Sequence, residues 1–118
     1  MPYFLLRLEP PRPTFPFDAT EAEKALFQEH AAYWMARAED GRAIAVGPVF
    51  EPGDAADPAK TPAKTWGFAL VEAADEAGAV SLGAADPVIR AEAGFRYTAA
   101  PVPSLILRQP RGAPSLKS

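Results

Sequence analysis

A chain of 118 residues with 48% hydrophobic and 23% charged side chains reads as one soluble globular domain, long enough to bury a core without staples. With no cysteine it has no disulfides, cysteine–zinc sites or thiol catalysis, and this suits a reducing cytoplasm, where the protein is expected. A formal net charge of -3 argues against nucleic-acid binding, and no apolar run approaches the ~18 residues of a membrane span.

Pro2–Leu8 reads as a strand rather than a signal peptide, because it is short and lacks a basic leader. Phe4, Leu6 and Leu8 form a wholly apolar face; Tyr3, Leu5 and Arg7 form a mixed one. Glu9–Phe17 carries four prolines, which excludes helix and central strand. It reads as an extended loop whose Phe15 and Phe17 fold back over a groove.

Asp18 or Thr20 caps a first helix that runs to about Asp40, with Glu21 and Glu23 suiting its dipole and Gly41 as the stop. Phe27, Ala31, Trp34 and Ala38 recur at three- and four-residue steps and predict a buried stripe. His30, the only histidine, lies inside it.

Ala43–Phe50 is the second strand, and Gly47-Pro48 predicts a bulge or an edge there. Glu51–Lys64 is a polar loop, long for a compact domain. Trp66–Glu72 is the third strand and Ala73–Ala85 the second helix. Gly78 and Gly83 weaken that helix by about 1 kcal/mol each and predict close approach to the sheet. Asp86-Pro87 ends it, and Val88–Ala93 fits one further turn. Gly94–Ala100 is the fourth strand, Pro101–Arg108 is extended, and 109–118 has the composition of a flexible tail beyond a single domain spanning 1–108.

The order β-α-β-β-α-β predicts an α+β, ferredoxin-like fold: a four-stranded antiparallel sheet with two helices on one face. Strands apolar on both sides predict that the other face is covered by a second copy, hence a homodimer.

Two readings of His30 stand on pattern alone. It is a core imidazole bonded to a backbone carbonyl, or it is a functional base, which needs a carboxylate to orient the ring. Asp86 is the candidate partner, because the second helix packs beside the first in this topology; its plain reading is a turn residue before proline. Tyr33 and Trp34 are core residues or pocket walls. Gly47 and Pro48 end a strand or let a ligand approach the backbone. Arg7 reads as solvated or paired. No metal and no cofactor is expected: one histidine and no cysteine leave only unclustered carboxylates, and nothing favours haem.

His30 with Tyr33, the run Glu39–Pro48 (EDGRAIAVGP), the run Trp66–Glu72 (WGFALVE), Ala84–Pro87 (AADP) and Ala93-Gly94 together resemble the YCII-related family over residues 26–102. The resemblance implies a dimeric α+β barrel with a histidine–aspartate pair in a small cleft, carried here by His30 and Asp86. It implies general acid–base chemistry, elimination or isomerisation, on a small cyclic or aromatic organic molecule. Three features depart from the family pattern: Val88 stands where an aromatic is common, Glu51–Lys64 is longer, and Glu9–Phe17 is an insertion. A non-catalytic ligand-binding or accessory dimeric module, and a structural dimer with His30 as core filler, are the competing readings.

Overall fold

The computed structural model describes residues 1–57 and 63–108. The expected tail at 109–118 and part of the long loop lie outside the described residues. Seven elements follow in order: β1 (Tyr3–Glu9), α1 (Glu21–Glu39), β2 (Ala43–Glu51), β3 (Lys64–Glu72), α2 (Glu76–Ala84), α3 (Pro87–Arg90) and β4 (Arg96–Val102). The strands form one antiparallel sheet in the order β2-β3-β1-β4. This is the split βαβ arrangement of the ferredoxin-like fold.

The period of two on β1 decides which face meets the helices. Phe4, Leu6 and Leu8 are buried on one side, and their β3 and β4 partners complete that face. Phe4, Leu6, Ala69 and Val71 pack against Trp34 of α1 and Ala79 and Leu82 of α2. The opposite face carries Leu5, Arg7, Trp66, Phe68 and Leu70, all half-buried, with the Arg7 guanidinium 4.0 Å above the Trp66 ring.

Thr20 caps α1 through a complete capping box: its hydroxyl accepts from the Glu23 N–H, and Glu23 accepts from the Thr20 N–H. Glu23 is also gripped by both terminal nitrogens of Arg12 at 2.8 Å, while Arg12 Nε donates to Asp18. Hydrogen bonds from Arg12 are the largest reason the Glu23 carboxyl is lowered to about 2. One guanidinium thus pins the proline-rich segment to the start of α1.

That segment is not the extended loop the prolines suggest. Residues 13–18 make successive turns, closed by Phe15 N–H to Arg12 O, Phe17 N–H to Thr14 O and Ala19 N–H to Pro16 O. Prolines without a turn's required N–H leave these donors to their neighbours, so the segment coils instead of stretching. Phe15 enters a second core cluster with Leu8, Val88 and Phe95, whereas Phe17 is 80% exposed. Gly94 makes the approach work. Its φ of +91° suits glycine, and a Cβ there would lie 2.9 Å from the Cβ of Pro11.

Gly47-Pro48 lies on an edge strand, one of the two outcomes expected there, and the bulge falls elsewhere on β2. The register shifts between Ala43 and Ala45, so Ile44 is the extra residue and Gly47-Pro48 pairs regularly with Phe68 and Gly67. The shift inverts the alternation: Ala43, Val46, Pro48 and Phe50 share the helix-side face. β2 is an edge strand, which tolerates Pro48; the other edge, β4, extends past its expected end through Pro101 to Val102 for the same reason. The second helix begins at Glu76, later than its composition suggests, because the Asp75 carboxylate caps it by accepting from the Gly78 N–H at 2.8 Å.

If Phe15 is a core residue, Phe15→Ala lowers the unfolding free energy by about 3–5 kcal/mol in a urea titration. A loss below about 1 kcal/mol would instead mark the segment as a surface strap.

Candidate functional site

The functional candidates converge on one carboxylate. Asp86 joins α2 to α3 and is fully buried. Its backbone is extended (φ -62°, ψ 133°), and Pro87 follows at the first helical position, where a missing N–H costs nothing. Its Oδ1 accepts from the Val88 N–H at 3.0 Å, capping α3. Its Oδ2 receives three donors: His30 Nδ1 at 2.7 Å, Trp34 Nε1 at 2.8 Å and Tyr97 Oη at 2.6 Å.

Each donor arrives from a different constraint. His30 and Trp34 lie four residues apart on α1, one above the other on the same side of the helix. Tyr97 stands on β4 opposite Leu8 and points to the helix side. Gly83 of α2 lies against its ring: a Cβ there would sit 3.1 Å from the Tyr97 side chain. Trp34 Nε1 shares its proton between Asp86 and Tyr97 Oη, the latter at 3.1 Å. Phe27 stacks on the His30 ring at 4.7 Å between centroids.

Burial pushes the Asp86 carboxyl upward and is the largest single influence on it. Hydrogen bonds from His30, Tyr97 and the Val88 N–H outweigh that in sum and hold it below the ordinary carboxylate range. Tyr97 moves the other way: burial first, then the adjacent carboxylate, raise its hydroxyl well above the ordinary tyrosine value. At neutral pH, then, Asp86 is an anion that only accepts and Tyr97 a phenol that donates. An anionic Asp86 can only accept, so the hydrogen it shares with His30 is the one on Nδ1, and in the neutral ring Nε2 then carries the lone pair.

His30 forms part of the wall of a cavity of about 600 Å³ between α1 and the β2–β3 side of the sheet. The stripe that reads from sequence as a core face is this wall: Phe27, His30, Ala31, Trp34 and Ala38 all line it. Ala31 and Ala38 are exposed rather than packed, because small side chains there cannot reach the sheet. Val46, Pro48 and Gly67 provide the floor, and Phe15 and Phe95 close one end.

Of the expected site residues, His30, Asp86 and Trp34 are joined directly, and Pro48 lies on the cavity. Gly47 borders it too, but the space where its side chain would be is covered by the Phe68 ring at 3.4 Å on the opposite face. Tyr33 is not among the lining residues. It packs against the main core, and its hydroxyl donates to the Leu82 carbonyl at 2.6 Å, tying α1 to α2. Sequence reasoning misses Tyr97, although a tyrosine alternating with Phe95 along a predicted strand is a visible signal. Among the described residues no group of three or more His, Cys, Asp or Glu side chains is placed to hold a metal ion, and no helix is long and apolar enough to cross a membrane.

A family model for the YCII-related domain matches residues 1–102 of the chain. No curated protein matches it.

The depressed Asp86 carboxyl makes a signed prediction. A folded-state value below the unfolded one means the native protein binds fewer protons at this group. Its contribution to stability is complete above the ordinary value of 3.8 and is lost as pH falls below it. Asp86→Asn costs about 1.5–3 kcal/mol near neutrality, the range for hydrogen bonds to a charged group, and flattens the acid limb of the stability curve. Parallel acid limbs in the two proteins would refute the assignment.

Proposed function

The chain belongs to the YCII-related family, and from that premise we propose that it is a small acid–base enzyme using His30 and Asp86 on a small cyclic or aromatic organic molecule. One observation carries the reading: Nδ1 of a cavity-wall histidine lies 2.7 Å from a fully buried carboxylate. A ring held in this way has a fixed tautomer and a fixed direction of attack.

In this mechanism Nε2 removes a proton from a substrate C–H or O–H. Asp86 stabilises the imidazolium through the Nδ1–H bond. The same imidazolium then returns the proton to a different substrate atom, giving isomerisation, or to a departing group, giving elimination. Such proton transfer contributes of order 10²–10⁴-fold. The walls are aromatic and aliphatic, so a ligand that fills them displaces water from around the ring.

A second reading has its own support. Among the described residues His30 is the one imidazole on the cavity wall, and the hydroxyl of Tyr97 there is committed to Asp86. A site with one such group also suits a binding or accessory module in which the pair only orients a ligand.

The experiment uses His30→Asn, whose amide nitrogen retains a donor near the Nδ1 position but removes Nε2. Enolisable cyclic ketones and lactones are incubated in D₂O and C–H loss is followed by proton NMR. The wild type exchanges at least one cavity-bound compound about 10²–10⁴-fold faster than the variant. Equal rates for every compound that occupies the cavity would leave the binding module as the function.

We also propose that the open sheet face is covered by a second copy of the chain. Leu5, Trp66, Phe68 and Leu70 form a contiguous apolar surface there. Sedimentation equilibrium at micromolar concentration is expected to return twice the chain mass, and Leu70→Lys a single chain mass. A wild type that sediments as one chain would overturn this.

A further inference from the structure

The chemistry of the cavity wall goes further than the histidine. Among the described residues that line it, none is Asp, Glu, Lys or Arg. The polar side chains on it are His30, Thr65, Trp34 and Tyr97, and the last two already direct their protons to Asp86. Asp86 itself is fully buried and is not among the lining residues; His30, Trp34 and Tyr97 surround its Oδ2. A cation entering the cavity therefore meets no exposed carboxylate. An anion meets no guanidinium or ammonium, and with Nδ1–H committed to Asp86 it faces the lone pair of Nε2. Either ion would lose its hydration without replacement, a cost no apolar wall returns.

A neutral ligand with one hydrogen-bond donor has the opposite balance. Its apolar body meets Phe15, Phe27, Met35, Val46, Pro48 and Phe95, while its donor meets Nε2. Size adds a second limit. About 600 Å³ lies mid-range for sites that take drug-sized ligands, of roughly 300–1,000 Å³, and far above the ~150 Å³ of an engineered cavity that holds one benzene. A single ring would leave much of this wall wet.

We propose that the cavity selects an uncharged, largely apolar ligand of two or three rings that presents one weakly acidic O–H, N–H or activated C–H to His30 Nε2. This rests on the acid–base reading of the same site and narrows its substrate class. The donor is the proton the base would take, and the absence of fixed charge means that the ligand is recognised by shape and one hydrogen bond.

The test compares four probes on the wild-type protein at about pH 8, above the ordinary range of an imidazole: 2-naphthol, 2-methoxynaphthalene, 2-naphthoate and phenol. Trp34 lines the cavity, so tryptophan fluorescence reports occupancy. The single histidine gives one set of imidazole resonances that reports contact with Nε2 without any substitution. The expected order places 2-naphthol first. 2-Methoxynaphthalene is several-fold weaker through loss of one hydrogen bond, and 2-naphthoate and phenol are at least about tenfold weaker through an unpaired charge and a smaller apolar body. The imidazole resonances move with 2-naphthol and less with the methyl ether.

If 2-naphthoate binds as tightly as 2-naphthol and shifts the histidine signal, the ligand class is wrong while His30 remains the contact, and the acid–base reading survives. If phenol matches 2-naphthol, the size argument fails. If no probe changes the fluorescence or moves the histidine signal up to millimolar concentration, the cavity is not a ligand site, and the acid–base reading falls together with this one.

Discussion

The rest of the structure depends on one buried negative charge. A carboxylate removed from water is costly unless its lone pairs are filled. Asp86 meets that condition with four donors from three directions: the α3 backbone, two side chains of α1 and one of β4. Among the described residues no buried side-chain polar atom lacks a partner. The carboxylate therefore fixes how α1 sits relative to the α2–α3 corner and the edge strand β4. Its two oxygens divide the work. Oδ1 caps a helix and would do so in any Asp-Pro turn. Oδ2 carries three donors where two in-plane lone pairs are available, so the donors compete and the geometry is narrow.

Space is the second constraint, and it follows from residue size. α1 is tied to the molecule along the side that carries His30, Tyr33 and Trp34. The adjoining side presents Ala31 and Ala38 towards a floor containing Gly67 and Pro48, and nothing in between is large enough to fill the gap. The bulge at Ile44 completes the arrangement by turning Val46, Pro48 and Phe50 inward. An unfilled volume forfeits packing that a folded chain would otherwise gain. The Arg12 clamp and the capping box at Thr20 stabilise the helix that has given up that contact.

Much of this was legible from residue order. The alternation on β1, the Thr20 cap, the Gly41 stop and Asp86-Pro87 each act over a few neighbours, and the elements and their topology follow from them. Within the site, His30 was conspicuous because an ionisable ring in an apolar stripe is unusual. What was illegible depends on distance. Tyr97 matters only because β4 lies beside β1 under α2, and no local spacing reports that. The alanines of α1 look like core residues, since a period of 3.6 marks a face but not what opposes it. The inward turn of Phe15 depends on Gly94, nearly eighty residues away in the chain. Gly47-Pro48 marks the edge strand, one of the two outcomes its irregularity suggests, while the register slips at Ile44, where no residue type announces a bulge.

These constraints also explain why the imidazole and the cavity belong together. A histidine filling a core would be expected to have both ring nitrogens matched or its apolar faces packed. Here one nitrogen is anchored to a charge that several other groups hold in place, and one face of the ring is covered by Phe27. The ring lies on a cavity wall that carries no charged side chain among the described residues. Replacing Trp34 or Tyr97 with an apolar residue would remove one donor from Oδ2 without touching His30, and the carboxylate would then lean more heavily on the imidazole and the remaining aromatic donor. The two aromatic donors thus set how strongly Asp86 holds the ring, and they do so from positions that also shape the cavity. Orientation, electrostatics and ligand shape are coupled through the same side chains, so none can be changed independently of the others.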